Sequence, residues 1–191
     1  MTVAEAPKAA SSGPHIWPLS VKAYHALGEL GLIPQKTELL YGQVIHKMWK
    51  SPYHSFLQQF LTDAIQAALP PGIYLRSEQP FTCPDSEPEP DLAIVRGCKE
   101  DYRHEHPRTA ELVIEVCVSS YDYDRSKLRA CASAGVKEVW FVLAPENQIE
   151  VHRQPAGEQF AEHSLHGQGG RLASVAVPSF AVDLDALFAK S

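Results

Sequence analysis

The chain has 191 residues, 45% hydrophobic and 21% charged, with a formal net charge of −6. That is enough for one core, too acidic for a broadly basic surface that coats nucleic acid, and consistent with an acidic metal-dependent site. No apolar run approaches the roughly 18 residues that span a bilayer, and the opening lacks the basic-then-apolar order of a secretory signal, so no membrane partner and a cytoplasmic location are expected. Cys83, Cys98, Cys117 and Cys131 form no C-x-x-C pair. Reduced, mostly buried thiols are expected rather than a zinc knuckle or a disulfide scaffold.

The Ala/Ser/Pro-rich residues 1–14 read as a disordered tail, and residues 15–191 as a single domain. In "PLSVKAYHALGEL", Ser20 is an N-cap, Val21, Tyr24 and Leu27 or Gly28 fall at helical spacing, and the helix ends near Gly31. "TELLYGQVIHKMW" reads as two short strands around a Tyr41–Gly42 turn. A longer helix follows, capped by Ser51 with Pro52 at its first position. Its apolar stripe is Phe56, Leu57, Phe60, Leu61, Ala64, Ile65 and Ala68.

"GIYLRSEQPFT", "DLAIV" and "ELVIEVCV" read as strands, the last two separated by a polar loop. A helix is expected from Asp124 to a stop at Gly135. "EVWFVLA" and "QIEVHR" then pair around "PEN", "GEQFAEHSL" and "RLASVAV" form a peripheral pair, and "DLDALFA" closes as a short helix. A helix between "ELVIEV" and "EVWFVLA" permits a parallel crossover, while the flanking hairpins are antiparallel. The expected fold is an α/β mixed sheet flanked by helices, with additional antiparallel hairpins.

Two carboxylates stand where apolar side chains would pack better: Asp91 at the start of "DLAIV" and Glu115 in the middle of "ELVIEVCV". Strand alternation puts Glu115 on one face with Val113 and Cys117, opposite Leu112, Ile114, Val116 and Val118. A buried isolated carboxylate costs several kcal/mol unless a cation or donors meet it. Either acid alone also reads as an ion-pair or turn residue; together they read as oxygen ligands for a hard divalent cation. Lys127 falls in the first turn of the expected Asp124 helix, where the helix dipole disfavours a cation by roughly 0.3–1 kcal/mol. An ammonium there could orient an attacking water or steady charge on a pentavalent phosphorus, or it could be a solvated lysine.

The ordered set "EPD", "ELVIEV" and "YDRSKLRACASAGVKEVWFV" resembles the Uma family of putative restriction endonucleases, a branch of the PD-(D/E)XK nuclease superfamily. "TELLYGQV" looks like the family's Glu-Leu-x-x-Gly segment and "SPYHSFL" like its Ser-Pro…His helix start. The resemblance covers Thr37 to Arg153 and, more weakly, "VPSFAVDLDALF".

It implies a restriction-endonuclease-like fold and a Mg²⁺- or Mn²⁺-dependent endonuclease acting on nucleic acid, with DNA the expected substrate and a homodimer compatible. Asp91 and Glu115 would be the metal ligands. Cys117 occupies the superfamily's usual lysine position, so the resemblance assigns the amine to Lys127 on the next helix. "CVSSYDYDRS" departs from the Ser-Pro-Ser-Thr form of many members. Glu38 and His54 would be further members of the catalytic group.

Arg125 and Arg129 are candidate phosphate contacts or ordinary helix surface. His104–His106 lies in a polar loop without a second ligand pair and reads as solvated. Trp49, Trp140 and Phe141 read as core. The competing function is a catalytically inactive nuclease-fold module for binding or assembly. The retention of Asp91, Glu115 and Lys127 together weighs against it, because apolar replacement of buried charges often costs no stability.

Overall fold

The computed structural model describes residues 17–189; the expected tail over residues 1–14 lies outside the described residues. Helix α1 (Val21–Glu29) is capped as expected, the Ser20 hydroxyl accepting from the Ala23 amide. Strands β1 (Thr37–Leu40) and β2 (Gln43–His46) form the expected antiparallel hairpin. At its turn Tyr41 and Gly42 both have positive φ, 53° and 75°, which matches the twist of a two-residue hairpin. Gly42 is further constrained because an added Cβ would lie 2.3 Å from Pro18 Cβ.

Helix α2 (Pro52–Ala68) starts with the Ser51 side chain accepting from the His54 amide. It buries His54, Leu57, Gln58, Leu61 and Ile65, whereas Phe56 is exposed. The main sheet contains β3 (Ile73–Ser77), β4 (Leu92–Arg96), β5 (Leu112–Cys117), β6 (Glu138–Leu143), β7 (Gln148–Ala156) and β8 (Gln159–Gly167) in that spatial order. Only β5 and β6 pair in parallel; the other neighbours are antiparallel. Helices α3 (Tyr121–Ser126) and α4 (Leu128–Ser133) make the crossover between the two parallel strands.

The sheet separates two cores. On one face Leu57, Leu61 and Ile65 of α2 meet Leu92, Ile94, Leu112, Ile114, Val116 and Trp140, together with the C-terminal β10 (Ala181–Asp183) and α5 (Leu184–Leu187). On the other, Ala130 and Cys131 of α4 meet Ala93, Val113, Cys117, Val139 and Phe141. The strict alternation along β5 therefore sends Glu115 to the α3–α4 side, as its spacing predicts.

Three expectations need correction. The crossover helix starts at Tyr121, not Asp124, and breaks at Lys127, whose amide donates to the Asp124 carbonyl three residues back in a tightened turn. Lys127 is therefore a junction residue, not a first-turn residue of a continuous helix. β8 pairs with β7 through a turn at Gly157, whose φ is +65°, and β9 (Arg171–Ala173) pairs instead with β10. β7 is long enough to present an edge along its whole length, so β8 extends the main sheet. Trp49 is 88% exposed, because it sits in the segment between β2 and α2 with no sheet over it; Trp140 and Phe141 are core as expected. The thiols are free and mostly buried, as expected, with Cys98 the exposed one.

Glu138 opens β6 as a buried polar anchor. One carboxylate oxygen accepts from Trp140 Nε1 (2.9 Å) and Arg153 Nε (2.8 Å). The other accepts from the Ser174 hydroxyl (2.7 Å) and the amides of Val175 (2.9 Å) and Ala176 (3.1 Å). Burial alone would raise its pKa, but the donors from Ser174, Trp140, Ala176 and Arg153 outweigh that and lower it. A carboxyl with a lowered folded-state pKa contributes stability above its unfolded value, near 4.5, and loses it as pH falls through the folded value. Glu138→Gln should cost about 1.5–3 kcal/mol at neutral pH. In thermal melts its gap from wild type should narrow below about pH 4.5.

Candidate active site

Pro90 has no amide hydrogen, so strand pairing can begin only after it. Asp91 follows, one register step beyond the Leu92–Ile114 pair of the antiparallel β4–β5 ladder, and therefore stands opposite Glu115 on the same sheet face. Each carboxylate accepts from a backbone amide of the facing segment. The Asp91 amide donates to Glu115 Oε2 (3.3 Å), and the Val116 amide donates to Asp91 Oδ2 (2.7 Å).

The remaining side chains come from three directions. From α2, His54 Nε2 lies 3.0 Å from Asp91 Oδ2. From the segment before α2, Lys50 Nζ donates to Asp91 Oδ1 (2.7 Å) and reaches Glu78 (2.9 Å). From the α3–α4 junction, Lys127 Nζ donates to Glu115 Oε1 at 2.9 Å and lies 3.4 Å from both Glu38 and Asp124. Glu38 is delivered by β1 and fixed by the Glu89 amide (2.9 Å) and the Tyr123 hydroxyl. All these groups except Glu78 line one open cleft, rimmed by Lys47, Met48 and Trp49.

Five of the sequence candidates thus converge: Asp91, Glu115, Lys127, Glu38 and His54. Arg125 and Arg129 do not line the cleft. Arg125 lies over the Tyr121 ring (5.8 Å), and Arg129 lies over the Tyr41 ring (3.8 Å) while pairing with Asp85 (3.4 Å). Lys50, Gln58, Tyr123 and Asp124 went unrecognised as site residues. A signal existed for two of them, Lys50 and Gln58. Lys50, His54 and Gln58 are four residues apart, a polar line running onto an otherwise apolar helix stripe. Cys117 is buried on the same strand face as Glu115, its thiol raised well above its ordinary range by burial and by Asp124 and Glu115.

The charges do not balance. Glu38, Asp91, Glu115 and Asp124 are all buried, and Lys50 and Lys127 are the lysines that touch them. Burial, and then the neighbouring carboxylates of Asp124, Asp91 and Glu38, push Glu115 well above the usual carboxyl range against the pull of Lys127. Burial would lower Lys127, but the Glu115, Glu38 and Asp124 carboxylates outweigh it and hold the ammonium charged. Burial would raise Asp91, yet His54 and Lys50 hold it well below the carboxylate range.

The chain matches the family model Uma2, described as "Putative restriction endonuclease", over residues 25–185. It belongs to the Uma2 family. No curated relative matches the sequence. Among solved structures, it resembles a "putative nuclease belonging to DUF820" from Anabaena variabilis ATCC 29413. That match has a TM-score of 0.71 and 18% identity, covering 85% of this chain and 96% of the other. The likeness confirms the fold: a six-stranded mixed sheet flanked by helices, with antiparallel hairpins. Among the described residues, no helix is long and apolar enough to cross a membrane.

The donor set of this Uma2 chain suits a hard divalent cation. Asp91 and Glu115 face each other as oxygen donors, and the buried acids outnumber the lysines that meet them.

The imbalance makes the two members of the central ion pair unequal. Glu115→Gln removes an acid from an acid-rich site and leaves Lys127 paired with Glu38 and Asp124. Lys127→Met strands three acids and should cost roughly 3–5 kcal/mol. Because the Glu115 pKa is raised in the folded state, ionising it costs stability as pH rises from its unfolded value near 4.5 toward the folded one. In EDTA, Glu115→Gln should melt at or above wild type, with the advantage growing as pH rises through that window. A Glu115→Gln variant that melts as low as Lys127→Met would show that the site is balanced.

Proposed function

We propose that this protein is a Mg²⁺- or Mn²⁺-dependent endonuclease that hydrolyses DNA phosphodiester bonds in the cytoplasm. The observation that supports it is the meeting of Asp91, Glu115, Lys127, Glu38 and His54, widely separated in sequence, in one cleft where buried carboxyl groups outnumber the lysines that meet them.

Asp91 and Glu115 would hold the ion. Bound there, it supplies Lewis-acid polarisation of the phosphate and acidifies water. The chain's own residues do the rest. His54 and the Val116 amide fix the Asp91 carboxylate, while Glu38 and Asp124 keep Lys127 charged and aimed beside Glu115. Lys127 orients the attacking water and faces the charge that develops on phosphorus. Lys50, on the more open side, neutralises phosphate charge, and Lys47 at the rim positions the strand. Arg125 and Arg129 serve as backbone contacts beyond the cleft.

One observation favours the alternative of an inactive binding module. Every carboxylate oxygen of Asp91 and Glu115 is already met by a cation or an N–H. Cleavage of plasmid and short single- and double-stranded DNA in Mg²⁺, Mn²⁺ and EDTA separates the two. Asp91→Asn and Glu115→Gln should reduce the metal-dependent rate by orders of magnitude while retaining the native circular-dichroism spectrum, since several kcal/mol of transition-state stabilisation is lost. DNA binding without turnover in either metal, unchanged by these substitutions, would establish the binding module instead.

A further inference from the structure

A second cluster lies outside the cleft, on the β7–β8 hairpin. Glu150 and His152 are two residues apart on β7 and so share a face, and His163 on β8 is the direct cross-strand partner of His152. Their chain separations give no helical or zinc-finger spacing, and the imidazole pair is created by sheet register alone.

Glu150 Oε1 sits between the two rings, 2.7 Å from His152 Nε2 and 3.1 Å from His163 Nε2. The three ligand atoms lie within 4.8 Å of one another. Ligands about 2.0–2.2 Å from a shared ion stand roughly 3–4 Å apart, so closing the site asks little movement. Glu150 and His152 are buried, whereas the His163 side chain is 55% exposed and can swing.

The surroundings are those of a supported ligand set. The Tyr121 hydroxyl donates to Glu150 Oε2, leaving Oε1 aimed at the imidazoles. The His152 ring is held by Phe141, 5.7 Å away at 80°, and by Phe160 at 6.0 Å. A hollow lined by Tyr121, Arg125, Glu146 and Leu165 adjoins Glu150 and His163 and gives access from solvent.

We propose that Glu150, His152 and His163 form a second metal site, independent of the cleft, for a divalent transition-metal ion of the zinc type. Two imidazoles and one carboxylate select a borderline ion over Mg²⁺ or Ca²⁺, which prefer all-oxygen shells. Through Tyr121 the site touches the first residue of α3, the helix that carries Tyr123 and Asp124 to the cleft.

The test is Zn²⁺ titration of the full chain against a chelating dye, with Co²⁺ absorption as a spectroscopic readout. Wild type should bind one Zn²⁺ that millimolar Mg²⁺ does not displace. An Asp91→Asn/Glu115→Gln double variant should keep it. His163→Ala and His163→Gln, at an exposed position where circular dichroism should remain native, should each weaken binding at least tenfold and abolish the Co²⁺ visible bands. No Zn²⁺ binding by wild type, equal binding by both His163 variants, or loss of binding in the cleft double variant would each overturn the proposal. The last result would place the ion in the cleft and leave the hairpin trio as a hydrogen-bonded cluster only.

Discussion

The pairing of Asp91 with Glu115 across the β4–β5 ladder is the constraint around which the other polar residues are arranged. Two acids facing each other out of solvent repel, and each loses hydration worth several kcal/mol. The fold offsets this with donors from elements that are distant in sequence. Lys50 and His54 come from the entry to α2, Lys127 from the α3–α4 junction, and backbone amides from the ladder itself. Each donor restricts one element, so the acids tie the packing of α2 on one side to that of the crossover on the other.

β5 shows how one strand serves two purposes. Its Leu112, Ile114 and Val116 face α2 and α5 in a wholly apolar core, while Val113 and Cys117 on the opposite face bracket Glu115 with small or medium apolar groups. The apolar neighbours make Glu115 difficult to ionise, and the same exclusion of water strengthens its interaction with any cation that reaches it. Asp91 sits at the strand end with a lysine and a histidine on it and is held in the opposite state. Two carboxyls in contact, with pKa values driven apart by environment, are a recurring arrangement in catalytic sites.

Chain order and strand identity were legible because period-two alternation and turn residues are local signals. The two acids stood out because each broke its own apolar run. What the sequence hid was determined elsewhere in the chain. Trp49 looks like core by residue type, yet no element passes over it. The pairing of β8 with β7 depends on which edge is free once the sheet has formed. The break at Lys127 has no Gly or Pro to announce it, and it arises where a buried ammonium must meet Glu38, Glu115 and Asp124 at once. His152 and His163 meet only through register, so the imidazoles that share a carboxylate stand eleven residues apart, whereas the conspicuous His104–His106 run is a local feature of a polar loop.

The geometry around Glu115 also accommodates a cysteine two residues further along the strand. A residue two positions after Glu115 shares its face, so a lysine there would place its amine along the strand toward the cleft. Cys117 instead ends in a buried, protonated thiol 3.5 Å from Asp124, too short to reach past Glu115 and too weakly polar to compete for a cation. The space above it is filled from the crossover, where Lys127 descends between Glu115, Glu38 and Asp124. An amine delivered from a helix junction is held by three carboxylates from three elements, whereas a strand lysine would take its orientation from the sheet alone. The positive charge at the Glu115 carboxylate therefore comes from the crossover and not from the strand, and the additional acids that hold it, Glu38 and Asp124, account for the acid-rich character of the cleft.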